Sequence, residues 1–123
     1  MPRKPKSPPT LAQVAIGNAG FRQAILAFEF MMGWGMCSAS LGREPGMDEY
    51  AEMLDHDRAT SYRHRSAFLK AFPGEENPTR LIRATGQEQD YKDRVKALDD
   101  LASTYKGMKA TLFSIGSATY AAP

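Results

Sequence analysis

From Phe21 onward, apolar side chains recur at spacings of three and four: Phe21, Ile25, Phe28, Met32 and Met36. This is the period of one helix face, and it predicts a helix over about residues 19–40. Leu26, Phe30 and Trp34 widen the stripe until the helix is apolar nearly all round, as expected at the centre of a small bundle. Gly33 and Gly35 interrupt it and predict a kink or a close helix crossing. Ahead of it, Thr10 suits the cap of a short helix through Leu11, Val14 and Ala15, ending near Gly17 and Asn18. Residues 41–46 read as a turn.

Residues 47–54 predict a short amphipathic helix. Tyr50, Ala51 and Leu54 form its apolar side, and Asp48 and Glu49 sit in the first turn, where the helix dipole favours negative charge. After a break at Asp55 and His56, Asp57 is a good N-cap for a helix from Arg58 to about Phe72, which Pro73 and Gly74 end. A linker follows, with one helical turn around Leu81 and Ile82 and Pro78 at its start. Residues 88–106 predict a surface-type helix whose seam is Tyr91, Val95, Leu98, Ala102 and Tyr105. That seam either packs on its own domain or pairs with a second copy as a homodimer. Residues 108–123 suit a helical turn, a short strand or a tail. No alternating run predicts a sheet, so the expected fold class is all-α, a small helical domain. Its parts are a basic, Pro-rich arm (1–9), a helical core (10–74) and a C-terminal helical segment (75–123) available for dimerisation.

Composition bounds the function. The chain has 123 residues, 42% hydrophobic and 24% charged, which suits one soluble domain. The single cysteine, Cys37, allows no intrachain disulfide and no thiolate zinc cluster, and reads as a small buried residue in a reducing, cytoplasmic setting. The arm with Arg3, Lys4 and Lys6 does not read as a secretion signal; it is either a disordered tail or a segment that lies on phosphates. The apolar run at 24–37 contains Glu29 and two glycines and is shorter than the roughly 20 residues that cross a bilayer, so a core helix is expected and no membrane span.

A net charge of +2 neither requires nor excludes nucleic acid, so its distribution decides. Between residues 58 and 70 the charged side chains are Arg58, Arg63, Arg65 and Lys70, with His64 among them and no acid, whereas the preceding helix and turn carry Asp48, Glu49, Glu52 and Asp55. Basic charge concentrated on one element is the footprint of a groove-entering helix. Two short helices around a tight turn at 47–72 also have the layout of a helix-turn-helix. Arg58-Ala59-Thr60 and Tyr62-Arg63 resemble the start of the recognition helix in helix-turn-helix DNA-binding proteins, including resolvase/invertase-type and bacterial regulator domains. Ala51 and Leu54 fall where that family places a small residue and a buried residue in the first helix. Asp55 stands for the usual turn glycine, His56 for an apolar turn residue and Asp57 for a serine cap. Ser61 and Arg65 replace residues that pack inward in the family, which predicts an inner face redrawn around Tyr62, Phe68, Leu69 and Phe72.

The resemblance implies sequence-specific binding of double-stranded DNA, as in a small bacterial or phage transcriptional regulator. It puts Arg58, Ala59 and Arg63 nearest base edges. Thr60, Tyr62, His64, Arg65 and Lys70, with Arg3, Lys4 and Lys6 of the arm, would then face phosphates. Two-fold pairing would set the recognition helices roughly 34 Å apart. One alternative lays the apolar 24–37 helix at a membrane interface; the other is a helical protein-interaction module, such as a phage-encoded host-protein binder or an oligomeric packaging component. Met31, Met32, Trp34 and Met36 would then form an adhesive surface. No catalytic role is expected: Glu75-Glu76 and Asp99-Asp100 read as solvated charge, and Ser and Cys nucleophiles lack a convincing partner. His56, His64 and Asp57 make an incomplete ligand set, so neither a metal nor a cofactor is expected.

Overall fold

In a computed structural model of the chain, residues 8–86, 88–96 and 115–120 are described. They form six helices: α1 (Leu11–Ala19), α2 (Phe21–Leu41), α3 (Met47–Met53), α4 (Arg58–Ala71), α5 (Thr79–Ala84) and α6 (Glu88–Lys96). No strand is present among the described residues, and the fold is all-α as the periodicity predicts; a single bridge joins Thr10 to Thr119.

α2 is the axis on which the others pack. Its core residues Phe30, Met31, Trp34 and Cys37 are almost completely buried. Glycines in left-handed backbone angles bound it, Gly20 at φ 83° and Gly42 at φ 71°, where a side chain would be strained. Gly33 and Gly35 mark close crossings. A Cβ at Gly33 would come within 2.5 Å of Leu54 Cδ1 and 2.9 Å of the Tyr50 hydroxyl, and one at Gly35 within 2.6 Å of the Tyr91 ring. Glycine thus lets α3 and α6 lie directly on the α2 backbone. Tyr91, the first residue of the proposed dimer seam, is spent on the chain's own core. Leu98, Ala102 and Tyr105 lie outside the described residues, as does the Val95 side chain.

The helix is longer than its most apolar run suggests. At 21 residues α2 has the length and composition to cross a bilayer, which the 24–37 segment alone lacks. Yet α1, α3, α4, α5 and α6 all pack against it, the arrangement of a core helix. Burial also removes the expected adhesive surface: Met31, Met32 and Trp34 are buried and Met36 is half-buried. The Trp34 indole N–H donates to Thr79 Oγ1 at 3.0 Å and so ties α5 to the axis.

α1 begins with a capping box between Thr10 and Gln13. It ends at Ala19, one residue past the stop expected near Gly17 and Asn18, with Gly20 taking the break; the Asn18 side-chain amide donates to the Ala71 carbonyl at 2.9 Å. The tail segment 115–120 closes the bundle. The Leu11 amide donates to the Ala118 carbonyl and the Tyr120 amide to the Pro9 carbonyl, each at 2.8 Å, while Ile115 is buried and the Tyr120 ring stacks on Phe72. Glu75, expected as solvated charge, is instead buried and paired with Arg80 at the start of α5. That hydrogen-bonded carboxylate holds the Arg80 guanidinium charge more firmly than usual.

Candidate nucleic-acid interface

α3 and α4 are joined by Leu54, Asp55, His56 and Asp57. Asp55 sits at φ 51°, the left-handed region where glycine is common, and is the sole non-glycine residue there among those described. Asp and Asn reach this region more easily than other side chains, so the turn forms without a glycine. Asp57 then caps α4: its carboxylate accepts from the Thr60 amide at 2.6 Å. The same bond holds the Asp57 carboxyl below its ordinary range. At the other end of the unit, Glu49 accepts from the Gly46 amide at 3.0 Å and from Arg43 at 2.7 Å. These two donors, Arg43 first, hold Glu49 down at about 2 and fix the start of α3.

The inner face of α4 is Ser61, His64, Ala67, Phe68 and Ala71, all buried. Phe68 packs against Phe30 of α2, with ring centroids 5.7 Å apart, and against Phe72 at 5.5 Å. Ser61 therefore occupies the inward position that the resemblance gives to a small apolar residue. Tyr62, expected to move inward, is exposed instead. Ser61 and His64 both lie on the buried side of the helix.

The outer face presents Arg58, Ala59, Tyr62, Arg63, Ser66 and Lys70, all exposed. Spacings of three, four and seven put these side chains on one side of the helix, with no acid among them. The Arg58 guanidinium lies 5.8 Å from the Tyr62 ring centroid and 3.7 Å from Asp48 of α3. Arg63, Arg65 and Lys70 make no ion pair among the described residues. The structure thus brings together Arg58, Ala59, Tyr62, Arg63 and Lys70 from the expected site. Thr60 and Arg65 are half-buried on its flanks. His64 is a correction: it points into the core, 7% exposed, and cannot face a phosphate from there. Arg3, Lys4 and Lys6 lie outside the described residues. Ser66 is an addition. Its place one turn beyond Tyr62 makes it visible from helical spacing alone.

Other sites are poorly provided for. The cluster of His56 and His64 gains Glu29 in place of Asp57, but no group of three or more His, Cys, Asp or Glu among the described residues is arranged to hold a metal ion. Burial first, and Glu49 second, push the Cys37 thiol up to about 11, so it is not a poised nucleophile. A crevice of about 150 Å³ between the C-terminal end of α2, α5 and α6 mixes Arg43, Arg83 and Lys92 with Glu44 and Glu88, and is smaller than a usual small-molecule site.

No family model, curated protein or solved structure matches the chain.

Proposed function

We propose that the chain binds double-stranded DNA through the outer face of α4, with Arg58, Ala59 and Arg63 toward the bases and Tyr62 and Lys70 toward the backbone. The observation that carries this reading is the sidedness of α4. Its acid-free cationic face is exposed, while its opposite face is buried, with Phe68 against Phe30 of α2 and the Ala71 carbonyl held by Asn18 of α1. A helix held from behind can enter a groove as a rigid body, so little ordering cost opposes binding. Arginine offers two parallel donors to guanine O6 and N7, and Ala59 leaves room for close approach or a thymine methyl. Ser66 adds a hydroxyl within the same face.

The acids of α3 shape how DNA is approached. Asp48 and Glu49 occupy its first turn, where many anion-binding helices present bare amides. Phosphate contact is therefore assigned to α4 and not to the N-terminal end of α3. Arg58 must also exchange Asp48 for DNA, which lowers its net gain.

Selection of bound oligonucleotides from a random duplex pool tests the reading. An enriched motif supports specific readout. Absence of retention at low salt, where phosphate contacts are strongest, rejects it.

A second reading, docking on a protein partner, is favoured by a different observation. Phe21 is 68% exposed and Ile16 and Ile25 are exposed too, at the corner between α1 and α2. Phe21→Ser that abolishes a protein contact and leaves duplex affinity intact would assign that corner to a partner.

A further inference from the structure

Beneath α4, a polar cluster lies on the side away from the proposed DNA face. His64 projects inward from α4, and its Nε2 stands 3.5 Å from Oε2 of Glu29, the sole acid of α2. His56, from the turn that leads into α4, meets the His64 ring edge-on at 5.3 Å and the Tyr50 ring at 6.4 Å. The Nδ1 atoms of both histidines, the Tyr50 hydroxyl and the Ser61 hydroxyl are buried, with no hydrogen-bond partner among the described residues. Three elements, α2, the turn and α4, thus meet on groups that tolerate an added charge poorly.

We propose that His64, together with His56 and Glu29, is a proton-sensitive latch: neutral His64 seats α4 on α2, and protonation of His64 loosens that seat. The latch concerns the packing of the core and does not depend on the DNA reading.

The charged and titratable groups facing His64 are Glu29 from α2, His56 from the turn and Arg63 from α4 itself; Tyr50 of α3 and Asp57 lie beside His56. Burial first, then the nearby His56 and Arg63, hold His64 below its ordinary value of 6.5. Among the described residues Glu29, at 3.5 Å, is the one acid that an ion-pair distance places beside His64, and burial lifts its own carboxyl upward against the pull of His56. For a histidine lowered by folding, the unfolded chain takes up the proton first. Stability is therefore full above 6.5 and falls as the pH drops from there through the folded value. Glu29 has the opposite sign: the folded chain takes up its proton first. Its protonation therefore restores part of the loss at lower pH.

The test is the urea-unfolding midpoint of the full chain between about pH 7.5 and 5.5, the range in which histidines titrate. Wild type should lose stability on acidification, by at most about tenfold in the unfolding equilibrium per pH unit, the limit for one linked proton. His64→Leu should flatten the profile, and Glu29→Gln should steepen it. A flat wild-type profile, an unchanged slope in His64→Leu, or a Glu29→Gln profile no steeper than wild type would overturn the latch. So would a profile that a chelator alters, because a metal ion would then hold the cluster. If His64→Leu does not fold, the imidazole resonances of the wild-type chain decide: His64 must titrate below 6.5, and a value at or above it overturns the proposal.

Discussion

On its inner side α4 carries Ser61, His64, Ala67, Phe68 and Ala71, closed off from water; on its outer side it carries Arg58, Ala59, Tyr62, Arg63, Ser66 and Lys70, open to it. The inner side is small or aromatic, with Phe68 on Phe30 and His64 near Glu29 of α2, and Asn18 of α1 on the Ala71 carbonyl. The outer side is cationic, and only Arg58 has an ion-pair partner among the described residues. The contrast separates two jobs on one element. The inner residues fix where the helix stands, and the outer residues fix what it can touch. A substitution on one side should therefore change stability without changing recognition per folded molecule, and one on the other side should do the reverse.

The largest effect is expected inside. Phe68→Ala removes a ring packed between Phe30 and Phe72 and should cost about 3–5 kcal/mol in a denaturant titration. A loss under about 1 kcal/mol would mean that α4 is not anchored there. Next comes Gly33→Ala, whose new methyl meets Leu54 and Tyr50; overpacking should cost about 1–3 kcal/mol, read as a lowered thermal midpoint. An unchanged midpoint would show that α3 can move away freely. On the outer side, Arg63→Ala should cost about 1–3 kcal/mol of duplex affinity and relax one base preference, with the thermal midpoint unchanged. Equal weakening on every sequence would reassign Arg63 to a phosphate. The smallest effect is Asp48→Asn, which frees Arg58 from an exposed ion pair worth about 0.2–1 kcal/mol and should strengthen duplex binding by a few-fold at low salt. Weaker binding in that variant would break the assignment of Arg58 to DNA.

Most of the architecture is legible in the residues. Apolar spacing marks α2, Asp57 marks the start of α4, and Pro73-Gly74 marks its end. Asp55 fills the turn position read as a glycine substitute, because a short acidic side chain can take left-handed angles. What spacing could not supply is the identity of neighbours from distant elements. His64 lies between two arginines in sequence and reads as cationic surface, yet Glu29, 35 residues earlier, meets it in the core. The clue is Glu29 itself, a lone carboxylate in an apolar helix, which must meet either water or a polar partner. Glu75 misleads in the same way, since its partner Arg80 comes from a helix whose orientation only the fold reveals. For Met31, Met32 and Trp34, a helix apolar on all sides leaves open which side is wet, and the surrounding helices answer that none of the three is exposed. The basic face of α4, by contrast, needs no distant neighbour and is visible in the sequence.

The decisive measurement is duplex affinity against salt concentration, for wild type and for Arg58→Ala/Arg63→Ala/Lys70→Ala combined. Wild-type binding should weaken steeply with salt. The triple variant should bind much more weakly at low salt and keep its thermal midpoint. Its salt slope should be flatter by about one unit for each phosphate that no longer has a cation beside it. A triple variant that keeps the wild-type slope and affinity would contradict binding through α4, because any DNA bound would then lie on some other surface.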